Sequence, residues 1–458
     1  MSTSPQDSSS LPAAHGRVTA SVIQGTIIAA LGGLLFGFDT AVISGTTEAL
    51  NSVFQLTAQT LGFTVAVALI GTVIGSIIVG KPVDAFGRKK MLLLIALLYF
   101  VSAIGCAVAE SWIVLVVARF VGGLGVGAAS VVAPMYIAEI APGSARGRLV
   151  AINQLNVVAG ILLAFLSNYV LSLYVGADWA WRAMLGIEAI PAAVFFFLIF
   201  TIPESPRWLV KKGLVENARD VLEKLGVVDT AAKIAEIKQS LDGNGGKQDA
   251  LFQRRYSKSV LLVIAIAMFN QLAGINALMY YAPKIFMMAG AAVDSALFQA
   301  VLVGGTNFVF TALALLVIDR FGRRILMLIG SLGLIVTLSV VAWQFSLGGA
   351  ANGSIVLIAL LVYIAFFAFS QGACIWVFIS EVFPNTVRAK GQALGSFTHW
   401  FMAAAVSWSF PVVAAASGAW AFGFFAGMMV LQLLWVIFLM PETKGGSLED
   451  IERRLGHG

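Results

Sequence analysis

The sequence predicts an all-α membrane protein in which twelve helices cross the membrane in two halves of six. Three observations lead to this class. The 458 residues are 59% hydrophobic and 11% charged, with a mean hydropathy of +0.92, whereas soluble domains usually carry about 25% charged residues. About twelve apolar stretches are long enough to cross a hydrocarbon core of roughly 30 Å as helices. Finally, motifs in the first half of the chain recur in the second.

Short connections separate the predicted spans, except at the middle of the chain. In chain order the spans cover residues 21–46, 60–80, 91–108, 112–135, 149–172, 183–202, 259–289, 297–317, 325–345, 354–382, 390–415 and 419–439. Residues 204–258 form the one long polar segment. Within it, RWLVKKGLVENARDVLEKL places apolar residues at helical spacing and predicts amphipathic helix. GNGGKQD at 243–249 has the composition of a flexible linker.

These features predict five regions along the chain. They are a disordered cytoplasmic tail (1–18), an N-terminal six-helix half (19–203), an intracellular helical segment with its linker (204–258), a C-terminal six-helix half (259–440) and a cytoplasmic C-terminal tail (441–458).

The distribution of basic residues predicts the orientation in the membrane. Lys and Arg concentrate in the tails and the even-numbered connections, as in Arg88, Lys89 and Lys90, whereas the odd-numbered side offers only Arg182 and Lys284. Since cytoplasmic loops carry an excess of Lys and Arg, both termini are expected to be cytoplasmic. The net charge of +6 is therefore a topology signal, and no nucleic-acid partner is expected.

Three motifs repeat between the halves in the same order and at nearly one offset. VDAFGRKK at 83–90 is echoed by IDRFGRR at 318–324, and PESPR at 203–207 by PETKG at 441–445. The pattern E-x-x-P-x-x-x-R begins at Glu139 and again at Glu381. A parallel repeat of six-helix units places a central site between the halves, which is transporter architecture.

The first span carries a carboxylate, Asp39, in the stretch GGLLFGFDTAVISG. A charge near the bilayer centre costs at least about 2.5–3.5 kcal/mol, so it usually has a partner and a function. Arg119 in span 4 is expected at a similar depth. A pair that forms and breaks would load and release a proton, because a nearby guanidinium favours the charged carboxylate and desolvation disfavours it. The alternative is a permanent ion pair that joins the two spans. Glu188 in span 6 is a third candidate, either a proton relay or a satisfied polar contact.

Amide and aromatic side chains lie within the apolar spans, mainly those of the second half. Amides both donate and accept hydrogen bonds, which suits an array of hydroxyls, and Trp faces pack on the C–H surface of a sugar ring. They predict a neutral, polyhydroxylated substrate; the alternative is hydrogen bonding between helices. Gly274 provides a point where span 7 can bend. The candidate substrate-binding residues are Gln154, Asn270, Gln271, Asn276, Tyr280, Asn307, Trp376, His399 and Trp400.

Charges of both signs at the inner ends of the spans form a candidate cytoplasmic gate. Opposite charges there can hold the halves together in the outward-open state and part in the inward-open state. Anchoring of the basic loops at the membrane surface is the alternative, and applies best to Lys89 and Lys90. The gate candidates are Asp84, Arg88, Glu139 and Arg146 in the first half, and Asp319, Arg323, Glu381 and Arg388 in the second.

Enzyme, metal and cofactor chemistry is not indicated. The sequence has no HExxH, no CxxC and no GxxxxGK[ST] pattern. Its two cysteines, Cys106 and Cys374, fall within apolar runs and are interpreted as packing residues, not as a disulfide or metal pair.

At these motifs the chain resembles the sugar porter family of the major facilitator superfamily, over about residues 20–450. The stretch around Asp39, the two D-x-x-G-R-[RK] loops, PESPRWL, QLAGIN and PETKG carry the resemblance. It implies the major facilitator fold, with the segment after PESPR as an intracellular helical domain. Bacterial proton-coupled sugar symporters are the most similar members, and facilitative glucose carriers are more distant.

The resemblance also implies roles for individual residues. Asp39 matches the protonatable aspartate of the symporters, where facilitative carriers have asparagine, and Arg119 matches its partner. Tyr280 and Trp400 match aromatic positions on helices 7 and 11. The positions that match sugar-binding residues are Gln154, Gln271, Asn276, Asn307 and Trp376.

Four positions depart from the family pattern. Ala85 replaces a basic residue of the first loop motif, which weakens that part of the gate. Asn270 and Ile161 stand where the xylose symporter has glutamines, and His399 replaces an amide on span 11. His399 either contacts sugar or titrates near neutral pH. These departures leave the identity of the sugar open.

The predicted function is proton-coupled symport of a monosaccharide, a hexose such as glucose or else xylose, by alternating access. The expected location is a bacterial plasma membrane and the expected state a monomer; the expected partners are the sugar, protons and the lipid bilayer. One alternative is a facilitative carrier in which the Asp39–Arg119 pair is structural. Another is a sugar sensor, which the short stretch after PETKG disfavours.

Overall fold

The structure is a computed structural model that describes residues 18–243, 250–384 and 386–444, without the side chains of 242–243 and 317–319. The predicted gate residue Asp319 therefore has no described side chain. Residues 1–17 of the predicted tail, 244–249 of the predicted linker and 445–458 of the predicted C-terminal tail lie outside the described residues.

Twelve helices of the described residues are long and apolar enough to cross a membrane, so the predicted number of spans is confirmed. In chain order, α1 to α12 are Ala20–Gly45, Ala58–Ile78, Arg88–Ala107, Trp112–Ile140, Arg146–Tyr174, Ala177–Ile199, Arg254–Met288, Val293–Leu316, Arg323–Ser346, Gly353–Glu381, Arg388–Ala416 and Gly418–Phe438. The described residues contain no strand.

Short helices join or follow the long ones. Thr47–Phe54 follows α1, and Gly80–Phe86 joins α2 to α3. The polar segment after α6 contains Pro206–Lys211, Val215–Lys224 and Thr230–Gly243. These three helices pack on the first half, since their buried apolar side chains share a core with it. The amphipathic segment predicted between the halves is therefore helical and lies against the first of them.

The two ends of the bundle differ in how the halves meet. We call the end at which α1 begins the basic side, because the Lys- and Arg-rich connections lie there, and the other end the far side. On the far side, residues from both halves, such as Phe38 and Phe286, belong to one apolar core. On the basic side the halves have separate cores, one around Leu92 and one around Phe378. Within the part of the chain that the structure describes, the halves are therefore packed together on the far side and share no apolar core on the basic side.

Close helix packing in the first half depends on small residues. A Cβ atom at Gly37 of α1 would overlap the carbonyl oxygen of Val157 on α5, and one at Gly123 of α4 would overlap the carbonyl oxygen of Ala68 on α2. Such helix backbones approach each other more closely than any side chain allows. This packing positions α1 and α4, which carry the charged residues predicted within the membrane.

The bend predicted at Gly274 is present in α7. Gly274 has φ +85° and separates Ser257–Leu272 from Ile275–Met288. A positive φ is accessible to glycine at little cost. Further along the helix, Pro283 removes a backbone donor, and Tyr281 departs from helical angles with φ −128° and ψ 19°.

Candidate functional site

A buried ion pair joins α1 to α4. Arg119 Nη1 donates to Asp39 Oδ1 at 2.7 Å, and Arg119 Nη2 donates to the Asp39 carbonyl oxygen at 3.4 Å. The side chains of Arg119 and Asp39 are only 1% and 3% exposed. Gly122, one turn after Arg119, borders the pair: a Cβ there would overlap Ser102 Oγ and would lie 3.4 Å from Asp39 Oδ1. The two opposite charges are therefore paired with each other and shielded from solvent.

Glu188 adds a second carboxylate to this cluster. It lies at a tight turn in α6, between Ala177–Gly186 and Ala189–Ile199. Its side chain is buried, and its charge interacts with those of Asp39 and Arg119. Its Oε1 has no hydrogen-bond partner among the described residues. The interpretation of Glu188 as a satisfied polar contact is therefore not supported for its Oε1 atom in this arrangement.

A network of amides lies on either side of the break in α7. Asn276 Nδ2 donates to Gln271 Oε1 at 2.9 Å, and Gln271 Nε2 donates to Asn270 Oδ1 at 3.0 Å. Gln271 Nε2 also lies 3.3 Å from both ring nitrogens of His399 on α11. The break at Gly274 brings Asn276 back toward Gln271, so four of the predicted residues form one connected group.

Aromatic rings cover one side of this network. The ring centroid of His399 lies 4.9 Å from that of Trp376 on α10 and 4.8 Å from that of Trp400. Trp376 is 37% exposed and therefore accessible to a ligand, whereas Asn270 and Gln271 are buried. Trp400 in turn contacts Phe36 of α1, with ring centroids 5.5 Å apart. The aromatic surface thus continues from the second half into the first.

Sequence reasoning missed Phe36. An aromatic residue in an apolar span is not distinctive by composition. Phe36 precedes Asp39 by three residues, however, and residues three apart share a helix face. That spacing was the signal available in the sequence.

The remaining predicted substrate residues are not part of the amide network. Tyr280 is buried on α7, and its side chain lies near that of Thr40, the residue after Asp39. Asn307 on α8 accepts a hydrogen bond from Thr311 at 3.4 Å. Gln154 on α5 is half-buried. Tyr280 therefore lies near the ion pair, since the charges of Arg119 and Asp39 act on it.

Three of the four predicted gate residues of the first half, Asp84, Arg88 and Glu139, form a cluster on the basic side. Arg88 binds Glu139 through two nitrogens, at 2.7 and 2.8 Å, and Glu139 also accepts from the Ser205 hydroxyl. Asp84 pairs with Lys211 of the polar segment at 2.9 Å. Arg146 is exposed.

The second half repeats this arrangement. Arg323 binds Glu381 at 2.9 Å, and Glu381 accepts from the Thr443 hydroxyl at 2.6 Å. Arg388 donates to the carbonyl oxygen of Phe383 at 3.2 Å. These contacts stay within one half, so a latch between the two clusters stays a prediction.

A further acidic residue caps a helix in each cluster, and sequence reasoning did not name it. Glu204 of PESPR accepts from the backbone N–H of Arg88 at 2.9 Å, and Glu442 of PETKG accepts from the N–H of Arg323 at 3.0 Å. A carboxylate at a helix N-terminus meets unpaired N–H groups and a favourable dipole. Burial raises the pKa of Glu204, while the N–H donors of Ser205, Lys89 and Arg88 oppose that shift. The repeated motifs therefore perform the same structural task in both halves.

One ion pair on the far side crosses between the halves. Lys284 Nζ of α7 lies 3.5 Å from Glu48 Oε1 of the helix after α1, and their side chains are 24% and 50% exposed. Aromatic pairs cross the same seam, including Phe63 and Trp408 with ring centroids 5.3 Å apart.

Known proteins of similar sequence and structure were compared with this chain. The family model for "Sugar (and other) transporter" matches residues 25–455. The D-xylose-proton symporter of Escherichia coli K12 is 39% identical, with 93% of this chain and 94% of the relative covered. The arabinose-proton symporter of Bacillus subtilis is 35% identical, with 97% of each chain covered. An inward-open structure of the xylose transporter XylE from E. coli has a TM-score of 0.85 at 37% identity, with 94% of this chain and 99% of that chain covered.

Proposed function

This chain belongs to the sugar transporter family, and on that premise we propose that it is a proton-coupled symporter that imports a monosaccharide by alternating access. The observation that carries the proposal is the buried cluster of Asp39, Arg119 and Glu188 beside an amide and aromatic site. Two relatives, a D-xylose-proton and an arabinose-proton symporter, support a small sugar as substrate.

The charged cluster is suited to carry a proton. Two carboxylates, Asp39 and Glu188, face one guanidinium, Arg119. In an apolar environment an unmatched charge is costly, so binding of one proton balances the cluster. When Arg119 neutralises Asp39, Glu188 is the group left to hold that proton. Separation of Asp39 from Arg119 would instead favour a proton on Asp39.

The amide network is suited to bind a sugar. Gln271 and Asn276 offer donors and acceptors that match hydroxyl groups, and the exposed face of Trp376 can pack on the sugar ring. His399 stands where the family pattern has an amide, and it joins the amide network through Gln271. This contact favours a role in sugar binding over an independent titration role. The proposed substrate residues are Gln154, Asn270, Gln271, Asn276, Tyr280, Asn307, Trp376, His399 and Trp400, with Phe36 added by its contact with Trp400.

Tyr280 provides a physical link between the two sites. It lies on α7, in the segment that begins at Gly274 and carries Asn276, and its hydroxyl reaches Thr40 next to Asp39. A shift of this segment on sugar binding would therefore change the surroundings of the ion pair. A chain of packed side chains can carry coupling between two sites, and Tyr280 is placed to be part of one.

The separate cores on the basic side support an inward-facing arrangement if that side is cytoplasmic, as the excess of Lys and Arg favours. The shared core on the far side would then be the closed gate.

We further propose that the chain acts as a monomer in a bacterial plasma membrane, with both termini cytoplasmic and the gate clusters meeting only in the outward-facing state. The division at residues 19–203, 204–258 and 259–440 is part of this proposal.

The test is proton movement driven by sugar in proteoliposomes. Wild-type protein should alkalinise the outer medium when sugar is added. A membrane potential of 100 mV contributes about 2.3 kcal/mol per transported charge to sugar accumulation. Asp39→Asn should abolish accumulation while sugar exchange persists. Asp294→Asn, which changes an exposed carboxyl at the far end of α8, should behave as wild type.

Two results would contradict the proposal. Sugar transport by wild-type protein without proton movement would identify a facilitative carrier, in which the ion pair is structural. Accumulation by Asp39→Asn at the wild-type level would remove Asp39 from the coupling mechanism. Binding assays with hexoses and pentoses on the same preparation would identify the sugar.

A further inference from the structure

Tyr99 of α3 is a buried tyrosine whose hydroxyl has no hydrogen-bond partner among the described residues. A buried, unpaired hydroxyl costs free energy, and phenylalanine would fill the same space without that cost. Tyr136, by comparison, is also buried in the first half, but its hydroxyl donates to the Pro203 carbonyl oxygen at 2.9 Å. The unpaired state of Tyr99 therefore calls for an explanation.

The surroundings of Tyr99 place it beside the charged cluster. Its ring borders α4, since a Cβ at Gly125 would lie 3.8 Å from Tyr99 Cδ1. Ser102, one turn along α3, borders Gly122 together with Asp39 Oδ1. The charges of Asp39 and Glu188 both act on the Tyr99 hydroxyl, and Asp39 has the larger effect.

Other titratable and charged groups face the same cluster from each neighbouring helix. They are Asp39 on α1, Cys106 on α3, Arg119 on α4, Glu188 on α6 and Tyr280 on α7. Among them, Arg119 Nε and Glu188 Oε1 also lack a hydrogen-bond partner within the described residues. Three polar atoms of this cluster, one of them in the ion pair itself, therefore lack a hydrogen-bond partner among the described residues, which indicates that the hydrogen bonds of the cluster are incomplete in the present arrangement.

We propose that Tyr99 is a positioning residue of the proton step, whose hydroxyl donates to the Asp39 carboxylate when Arg119 moves away. This inference rests on the proposed proton coupling. The hydroxyl keeps its own proton, and the transported proton moves between solvent and Asp39. By stabilising the charged carboxylate in the separated state, Tyr99 sets the pH at which Asp39 becomes loaded. The alternative is that the Tyr99 ring only fills space in the core.

The test is Tyr99→Phe, which removes one oxygen atom and leaves the ring. Loss of one hydrogen bond to the carboxylate should make protonation easier, so the pH midpoint of coupled sugar uptake should rise by roughly half to one pH unit. Sugar exchange at saturating sugar should be unchanged. The thermal unfolding temperature should be unchanged or higher, because the variant removes an unpaired buried hydroxyl.

Tyr136→Phe is the matched control, since it also removes a buried hydroxyl in the same half. It should lower the unfolding temperature and leave the pH midpoint at the wild-type value. If the wild-type protein moves protons with sugar but Tyr99→Phe has the same pH midpoint of uptake, this inference is overturned and the proposed function stands. A wild-type protein that moves no protons with sugar would overturn the proposed function, and this inference with it.

Discussion

The two halves repeat the same motifs, yet their helices pack in different ways. In the first half, a Cβ at Gly37, Gly123 or Gly160 would overlap a carbonyl oxygen of the adjacent helix. In the second half, a Cβ at Gly333 or Gly391 would instead overlap the ring of a phenylalanine. A ring can turn to another rotamer, whereas a helix carbonyl oxygen moves only with its helix.

This difference matches the polar groups that each half holds. The first half carries Asp39, Arg119 and Glu188, whose interaction depends on a fixed separation in an apolar environment. The second half carries neutral amides on a helix that is broken at Gly274. The comparison suggests a rigid half that holds charges and a more deformable half that closes on the sugar.

The largest effect that would test this comparison is expected at the glycine contacts. Gly37→Ala should destabilise the protein by about 1–3 kcal/mol or more, because the backbone of α5 must move. Gly333→Ala should cost less, since the Phe366 ring can adjust. Gly423→Ala on α12, where a Cβ meets no atom within 4 Å, should be neutral or stabilising. Thermal unfolding in detergent measures all three, with Gly423→Ala as the baseline. Equal losses for Gly37→Ala and Gly333→Ala would contradict the comparison.

A smaller but specific effect is expected in the amide network. Gln271→Ala should weaken sugar binding about ten- to hundred-fold, because it removes a proposed sugar contact and takes a hydrogen-bond partner from Asn270 and from Asn276. Gln432→Ala is the matched control, since Gln432 is a buried amide that donates to Ser331 at 2.7 Å within the same half. Calorimetric titration measures both. If Gln432→Ala weakens binding equally, the loss reflects general destabilisation of the second half and not contact with sugar.

The smallest effect concerns the far-side pair of Lys284 and Glu48. Exposed ion pairs contribute roughly 0.2–1 kcal/mol to stability. Lys284→Glu should therefore raise the population of the state that is open on the far side by only a few-fold. Labelling of a cysteine introduced on the far side would report that balance. The double exchange Lys284→Glu with Glu48→Lys should restore it. A failure to restore would mean that Lys284 acts through another partner.

Much of the fold could be predicted from the sequence, because span length and apolar composition are strong signals in a membrane protein. The proximity of Asp39 and Arg119 could be anticipated for the same reason. Each lay at a similar distance from the same end of its span, and each charge needed a partner. The break at Gly274 followed from glycine among helix-forming residues.

Side-chain partners could not be predicted at the same level. The pairing of Arg88 with Glu139 inside one half depends on rotamers and on the position of Ser205, which spacing alone does not determine. Phe36 and Tyr99 are aromatic residues in apolar spans, where most aromatic residues only pack. Their neighbours distinguish them, and those neighbours come from helices that are distant in the sequence.

The break in α7 has a consequence for the energetics of sugar binding. Gly274 and Pro283 leave the intervening turns with fewer internal hydrogen bonds, and the Tyr363 hydroxyl compensates in part by donating to the Ala273 carbonyl oxygen at 2.8 Å. This stretch should therefore open locally at lower free energy than the continuous helices around it. A sugar that orders it must overcome conformational entropy, so the measured affinity will understate the strength of the contacts themselves.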